Sequence, residues 1–171
     1  LMQHGRIVYA NDSLGAILDF PTEDLIGANY FDWVAQDDMA AQTGRMAARE
    51  SGSKDTQDYE INLKRRNGSL RLCTVRAGAV QFRGKLASIG TLRDITDERA
   101  QQHRLKAAEE RYRLLFKHAV VGMFQSTENG RYLAANQALA TLYRYPSPEA
   151  LISSLADIAT GCCPTHEAVG H

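Results

Sequence analysis

GRIVYANDSLGAILDFPTEDLI, residues 5–26, and GRYLAANQALATLYRYPSPEALI, residues 130–152, are two versions of one pattern. In register, Gly5-Arg6 aligns with Gly130-Arg131, Ala10-Asn11 with Ala135-Asn136, Leu14 with Leu139, and Phe20-Pro21 with Tyr145-Pro146. After one inserted residue, Leu25-Ile26 aligns with Leu151-Ile152. Gly130 lies 125 positions after Gly5, too far for a solenoid unit and about right for a domain plus a connector. Two homologous domains in tandem are expected.

Each copy opens on the same local physics. A short β-prone run, Arg6 to Tyr9 or Arg131 to Leu133, follows a glycine suited to a turn. Asn11 and Asn136 can each cap the helix that follows, by accepting from its free N–H groups. Leu14, Ile17 and Leu18 then share one helical face, and Pro21 stops that helix. Thr22 is expected to cap a second short helix ending at Gly27, and Asp37-Asp38 to cap the longer MAAQTGRMAARESG stretch.

Working outward, YEINLKRR alternates Tyr59, Ile61 and Leu63 against Glu60, Asn62 and Lys64, a half-buried strand. Asn67-Gly68 predicts a tight hairpin, because both residues tolerate positive φ. A second strand runs through Leu70 and Leu72, and a turn near Arg83-Gly84-Lys85 leads to a third, LASIGTLR. Strand, short helices, longer helix and a three-stranded meander make an α+β pattern with an antiparallel sheet.

The order GRIVYAN, FPTEDLIG, YEINLKRRNGSLR and GKLASIGTLRDITDER resembles a PAS domain, and Asp94-Ile95-Thr96 resembles that family's DIT motif. The resemblance implies a PAS-like antiparallel sheet flanked by short helices, then a helical connector, then a truncated second PAS-like domain. The expected boundaries are residues 1–96 for the first domain, its N-terminal edge missing, and 97–115 for the connector, which could be a coiled coil. Residues 116–160 would be the second domain and 161–171 an atypical tail. The chain is thus expected to be a fragment of a bacterial sensor protein. Its second copy, with an incomplete sheet, is expected to leave apolar faces unburied.

DERAQQHRLKAAEERYRLLF runs without proline or glycine, with Asp94 or Thr96 as candidate caps. Leu105, Ala108, Tyr112 and Leu115 recur at spacings of three and four, like a coiled-coil seam. Two readings follow: an amphipathic helix packed on its own domain, or a parallel homodimeric connector carrying a signal by rotation or register shift.

Composition narrows the function. Twenty basic residues balance twenty acidic ones, which gives no field favouring nucleic acid. No apolar run is long enough for a membrane segment. Three cysteines without a spaced framework suit a reducing cytoplasm, with an anchor elsewhere in the parent protein left open. No nucleophile–base, metal-protease or phosphate-loop spacing appears, so no catalytic residue is assigned and this chain is not expected to be an enzyme.

Adjacent Cys162 and Cys163, with His166 and His171, lack the separation zinc sites use, so no metal site is assigned. Cys73 reads as an apolar filler within a strand. Phe31 and Trp33 precede the longer helix, where the resemblance places one wall of an internal cavity. With Cys73 they are the candidate pocket residues, and Asp94, Ile95 and Thr96 the candidate signal linker. The cofactor is left unassigned. The resemblance speaks against heme, because residues 37–50 hold no histidine, and against a cysteinyl-flavin, because its motif is absent. It implies a sensory and dimerising module, open to a small-molecule ligand, that regulates a histidine kinase or a cyclic-di-GMP cyclase or phosphodiesterase. The alternative is a ligand-free interaction scaffold.

Overall fold

The computed structural model describes residues 1–53 and 55–158, with side chains as far as Leu155. The chain divides into two compact units, Leu1–Gln102 and His103–His171. The expected tail at 161–171 lies outside the described residues.

In the first unit, β1 (Met2–Gln3) and β2 (Arg6–Ile7) form a small hairpin. α1 (Asp12–Leu18) is capped as expected, Asn11 Oδ1 accepting from Leu14 N at 3.2 Å. It buries Leu18 and packs Leu14 and Ile17 on the core, which is the face their spacing predicts. α2 (Thr22–Leu25) corrects one expectation. Pro21 occupies the cap position, and Thr22, already helical, donates its hydroxyl to Asp12 at 3.0 Å. That bond ties α2 to α1.

Two single 3₁₀ turns, Tyr30–Trp33 and Gln36–Asp38, lead into α3 (Met39–Glu50). Asp38 does not cap it with its side chain. Its carboxylate instead accepts from Asn62 N (2.8 Å) and Asn62 Nδ2 (3.1 Å), fastening the root of α3 to the neighbouring strand.

That strand is β3 (Gln57–Lys64), followed by β4 (Leu70–Phe82) and β5 (Lys85–Asp94). The sheet is antiparallel throughout, in the order β2-β1-β5-β4-β3. Tyr59, Ile61 and Leu63 face the core as their alternation requires, opposite Val75, Cys73 and Arg71. Truncating Ile61 or Leu63 to alanine would leave a void costing about 2–5 kcal/mol.

The two hairpins exchange the roles read from sequence. Phe82 pairs with Lys85 across Arg83 and Gly84, both at positive φ (51° and 74°), so this is the tight two-residue turn. Between β3 and β4 the last pair is Lys64–Leu70, and of Asn67-Gly68 only Gly68 has positive φ (82°). Asn67 uses its side chain instead, accepting from Ser69 N at 2.9 Å within a wider loop.

α4 (Thr96–His118) leaves the end of β5 and buries none of its residues. In the second unit, β6 (Phe124–Ser126) pairs with β7 (Tyr132–Ala135), followed by α5 (Gln137–Leu142) and α6 (Pro148–Ile158). Asn136 repeats the cap of Asn11 and goes further. Its Oδ1 accepts from Leu139 N and Met123 N, and its Nδ2 donates to Val121 O, each at 2.9 Å. A small core forms around Ala135, Leu139 and Leu151. Val120, Phe124, Leu133 and Leu142 stay exposed.

Candidate functional site: the core cavity and the root of the connector

α3 lies over the inner face of the sheet and turns Gln42, Met46 and Arg49 inward. Beneath it is a cavity of about 40 Å³ bordered by Ile7, Tyr30, Gln42, Tyr59, Ala77 and Leu92. One water occupies roughly 30 Å³ of liquid and drug-sized ligands need roughly 300 Å³ or more, so this space suits very small occupants.

The three pocket candidates from sequence do not come together at this cavity. Trp33 is in the core, its ring edge-on to Phe20 with centroids 5.8 Å apart. Phe31 borders an open hollow with His4, Arg6, Thr43 and Glu50. Cys73 is fully buried opposite Ile61. The cavity residues Tyr30, Gln42 and Tyr59 went unassigned. Tyr59 could have been found from its strand alternation, whereas Gln42 carries no sign of burial in its residue type.

Burial pushes the Cys73 thiol up from 9.0 to about 11, helped by the Asp94 carboxylate and opposed by Arg71. Tyr30 is raised as well, chiefly by burial and then by Tyr59. A thiol that holds its proton longer in the folded than in the unfolded chain contributes stability that is lost as pH climbs from 9.0 toward about 11. Urea unfolding midpoints should therefore fall across that window. In Cys73→Ala the decline should begin nearer pH 10, the ordinary tyrosine value from which Tyr30 is raised. A variant with the same midpoint-against-pH curve as the parent would refute this.

The linker candidates Asp94, Ile95 and Thr96 do come together, at the root of α4. Ile95 N donates to Leu72 O (2.9 Å), and Thr96 Oγ1 accepts from Leu72 N (2.8 Å). Asp94 Oδ1 in turn accepts from Thr96 N (2.9 Å), the local capping bond expected of it. Arg71 lies 3.6 Å from both Asp94 and Asp97. One helical turn on, Arg93 pairs with Glu98 at 2.9 Å and Arg99 with Glu60 of β3. The first turns of α4 are thus held by all three meander strands.

Beyond that root the one side-chain hydrogen bond of α4 among the described residues is Gln125 Nε2 donating to Tyr112 Oη at 2.8 Å. Leu105 and Leu115 are 63% and 62% exposed, with Tyr112 about half exposed between them. Among the described residues no helix is long and apolar enough to cross a membrane, and no metal-holding group of His, Cys, Asp or Glu forms.

A family model described as the PAS fold matches residues 3–95, and a second, described as a PAS domain, matches 110–169. The second match runs past residue 161, where the atypical tail was expected to begin. Sporulation kinase A of Bacillus subtilis is 24% identical over 149 residues, covering 86% of this chain and 24% of that protein. Sporulation kinase E of the same organism is 30% identical over 98 residues, 57% of this chain and 13% of that protein. The chain thus spans a quarter or less of these curated relatives. Among solved structures, a sensory box histidine kinase/response regulator from Burkholderia thailandensis is 23% identical. It covers 63% of this chain and 82% of its own, with a TM-score of 0.46. A PAS domain from Colwellia psychrerythraea is 16% identical over 56% of this chain and 82% of its own, at 0.49.

Proposed function

Because the chain belongs to the PAS family, we propose that residues 1–96 sense a small molecule and pass the result through a dimeric connector at 97–115. The output domain lies elsewhere in the parent protein, and residues 116–160 are a second PAS domain after the connector. The two curated relatives are both named as kinases, so a histidine kinase is the output we carry forward and the cyclic-di-GMP enzymes are not. A free cysteine in the core suits a cytoplasmic setting.

The observation that carries this reading is the root of α4. Strands β4 and β3 grip Ile95, Thr96 and Arg99, and Arg93 of β5 pairs with Glu98, while the helix beyond stays unburied. A shift in the sheet then becomes a rotation or translation of the helix. A connector of this kind is sensitive to helical phase. In the full parent protein, four residues inserted after Ala107 should abolish or invert regulated autophosphorylation. Seven residues, which restore a heptad, should return it. Equal activity from both insertions would sink the proposal.

The small cavity favours a second reading, a filled core acting as an interaction scaffold. The two differ in whether anything other than water enters that core.

A further inference from the structure

Buried side-chain atoms without a hydrogen-bond partner gather at α3. Gln42 Oε1, Arg49 Nε and Nη1, and Glu50 Oε1 are all on this helix. Ser88 Oγ lies on β5, against which α3 packs, and Gln57 Oε1 on the first residue of β3, which follows α3 in the chain. Arg65 Nε is the one other such atom among the described residues. Gln42 and Arg49 are each 1% exposed. Arg49 and Glu50, adjacent and opposite in charge, form no ion pair with each other or with another described residue. The one hydrogen bond of the Arg49 guanidinium is Nη2 to Tyr59 Oη at 3.5 Å, the outer limit of such a bond. A guanidinium cannot shed its proton to escape burial.

The two ends of the helix are held differently. At the root, Asn62 of β3 donates twice to the Asp38 carboxylate and accepts from Ala35 N at 2.9 Å. At the far end, Ser51, Gly52 and Ser53 donate their N–H groups back to carbonyls of Ala47, Arg49 and Ala48. From residues 46–53 the Arg49–Tyr59 contact is the one hydrogen bond to a strand among the described residues. Met46, 3% exposed on the inward face, favours the closed position by its apolar burial. The bare polar atoms of Arg49 and Glu50 oppose it, because each is solvated once the helix end lifts away.

We propose that the C-terminal half of α3, residues 45–50, is a lid over the core, hinged at the Asp38–Asn62 fastening and opening without the sheet. Opening returns the side chains of Arg49 and Glu50 to water. It also uncovers Tyr59, whose ring centroid lies 4.0 Å from Cζ of Arg45 and 5.9 Å from Cζ of Arg49. Tyr59 borders the core cavity, so the open lid gives that cavity a way out to solvent. An occupant then exchanges while the five-stranded sheet stays folded. The lid is a property of the fold and holds whether the core senses a ligand or acts as a filled scaffold.

Thiol labelling of the 171-residue chain reads the opening. Met46→Cys places a probe under the lid, and fully buried Cys73 on β4 is the reference for unfolding of the sheet. Cys162→Ser with Cys163→Ser silences the other two thiols. The probe should react with a disulfide reagent about 100-fold faster than Cys73. Its rate should also climb less steeply in low urea, because the lid exposes less surface than global unfolding does. Adding Arg49→Met, which keeps the stem and removes the charge, should slow the probe about tenfold and leave Cys73 unchanged. A guanidinium that merely packs would give the opposite sign. One rate and one urea slope for both thiols overturns the proposal. So does an Arg49→Met chain in which the probe quickens, keeps its rate, or slows in step with Cys73. Should Arg49→Met fail to fold, the rates and slopes in the Met46→Cys chain decide alone. The helical-phase insertions depend on neither outcome.

Discussion

Replacing Leu105 and Leu115 together by glutamate should turn a dimeric chain into a monomer, halving its mass in sedimentation equilibrium. In the parent chain both leucines stand in water, a cost a second copy would remove. A parallel dimer aligns each leucine with its own copy, so four leave the seam in the double variant. At about 1.5 kcal/mol for each, ~6 kcal/mol is lost, about ten-thousandfold in the dissociation constant, before repulsion between facing glutamates. The seam is two heptads long and would hold only weakly alone, so no compensating contact is expected to hide the loss. Ala108→Cys supplies the orientation. A parallel seam brings the two cysteines together for rapid oxidation, and an antiparallel one does not. A parent chain monomeric at every accessible concentration would overturn the proposal, as would a double variant of unchanged mass.

How much of this was legible in the sequence depended on whether residue type and residue environment agreed. Asn11, Asn136 and the Tyr59–Ile61–Leu63 alternation were read correctly, because each signal is local and its physics is the same in any fold. The hairpins went astray for a local reason too. Asn-Gly permits a tight turn but does not require one, and an ordinary Arg-Gly pair took that geometry at Arg83-Gly84 once strand register demanded it. Asp38 misled because a carboxylate before a helix has two outlets, and tertiary packing offered Asn62. The inner face of α3 was the least legible element. It is built from Gln42, Met46 and Arg49, and two of those three residues ordinarily mark a solvent face. Phe31 and Trp33 are candidates because the resemblance places one wall of an internal cavity just before the longer helix. The cavity is bounded instead by groups whose burial only the folded sheet reveals.

Thr96→Val should loosen the root of the connector while leaving the core of the first unit intact. The substitution preserves shape and exchanges one hydroxyl for a methyl. In the parent chain, Leu72 donates its N–H to that hydroxyl and accepts from Ile95 N, while Cys73 pairs with Asp94 one position earlier. The side chain of Thr96 thereby supplies the acceptor that β5 would have offered had it continued. It extends the sheet by one bond just where the backbone turns into a helix. Its loss strands the half-buried Leu72 N–H at a cost of about 1–3 kcal/mol. Because the opening is local, the cost should appear as exchange of the Leu72 amide proton accelerated about 10- to 100-fold, with Ile61 in β3 little changed. Asp94→Ala should do less. It removes the capping bond to Thr96 N, about 0.5–2 kcal/mol, and a partly exposed pair with Arg71 that contributes only about 0–1 kcal/mol. It leaves the Leu72 N–H bonded to the Thr96 hydroxyl, so Leu72 exchange should change less. The order matters for signalling. If Thr96 is the bond that makes α4 an extension of the sheet, Thr96→Val weakens regulation in the parent protein while the domain stays folded. An unchanged Leu72 exchange rate would show that the hydroxyl does not hold the helix, and that the strand-to-helix coupling must run through the Arg71 and Arg99 ion pairs instead.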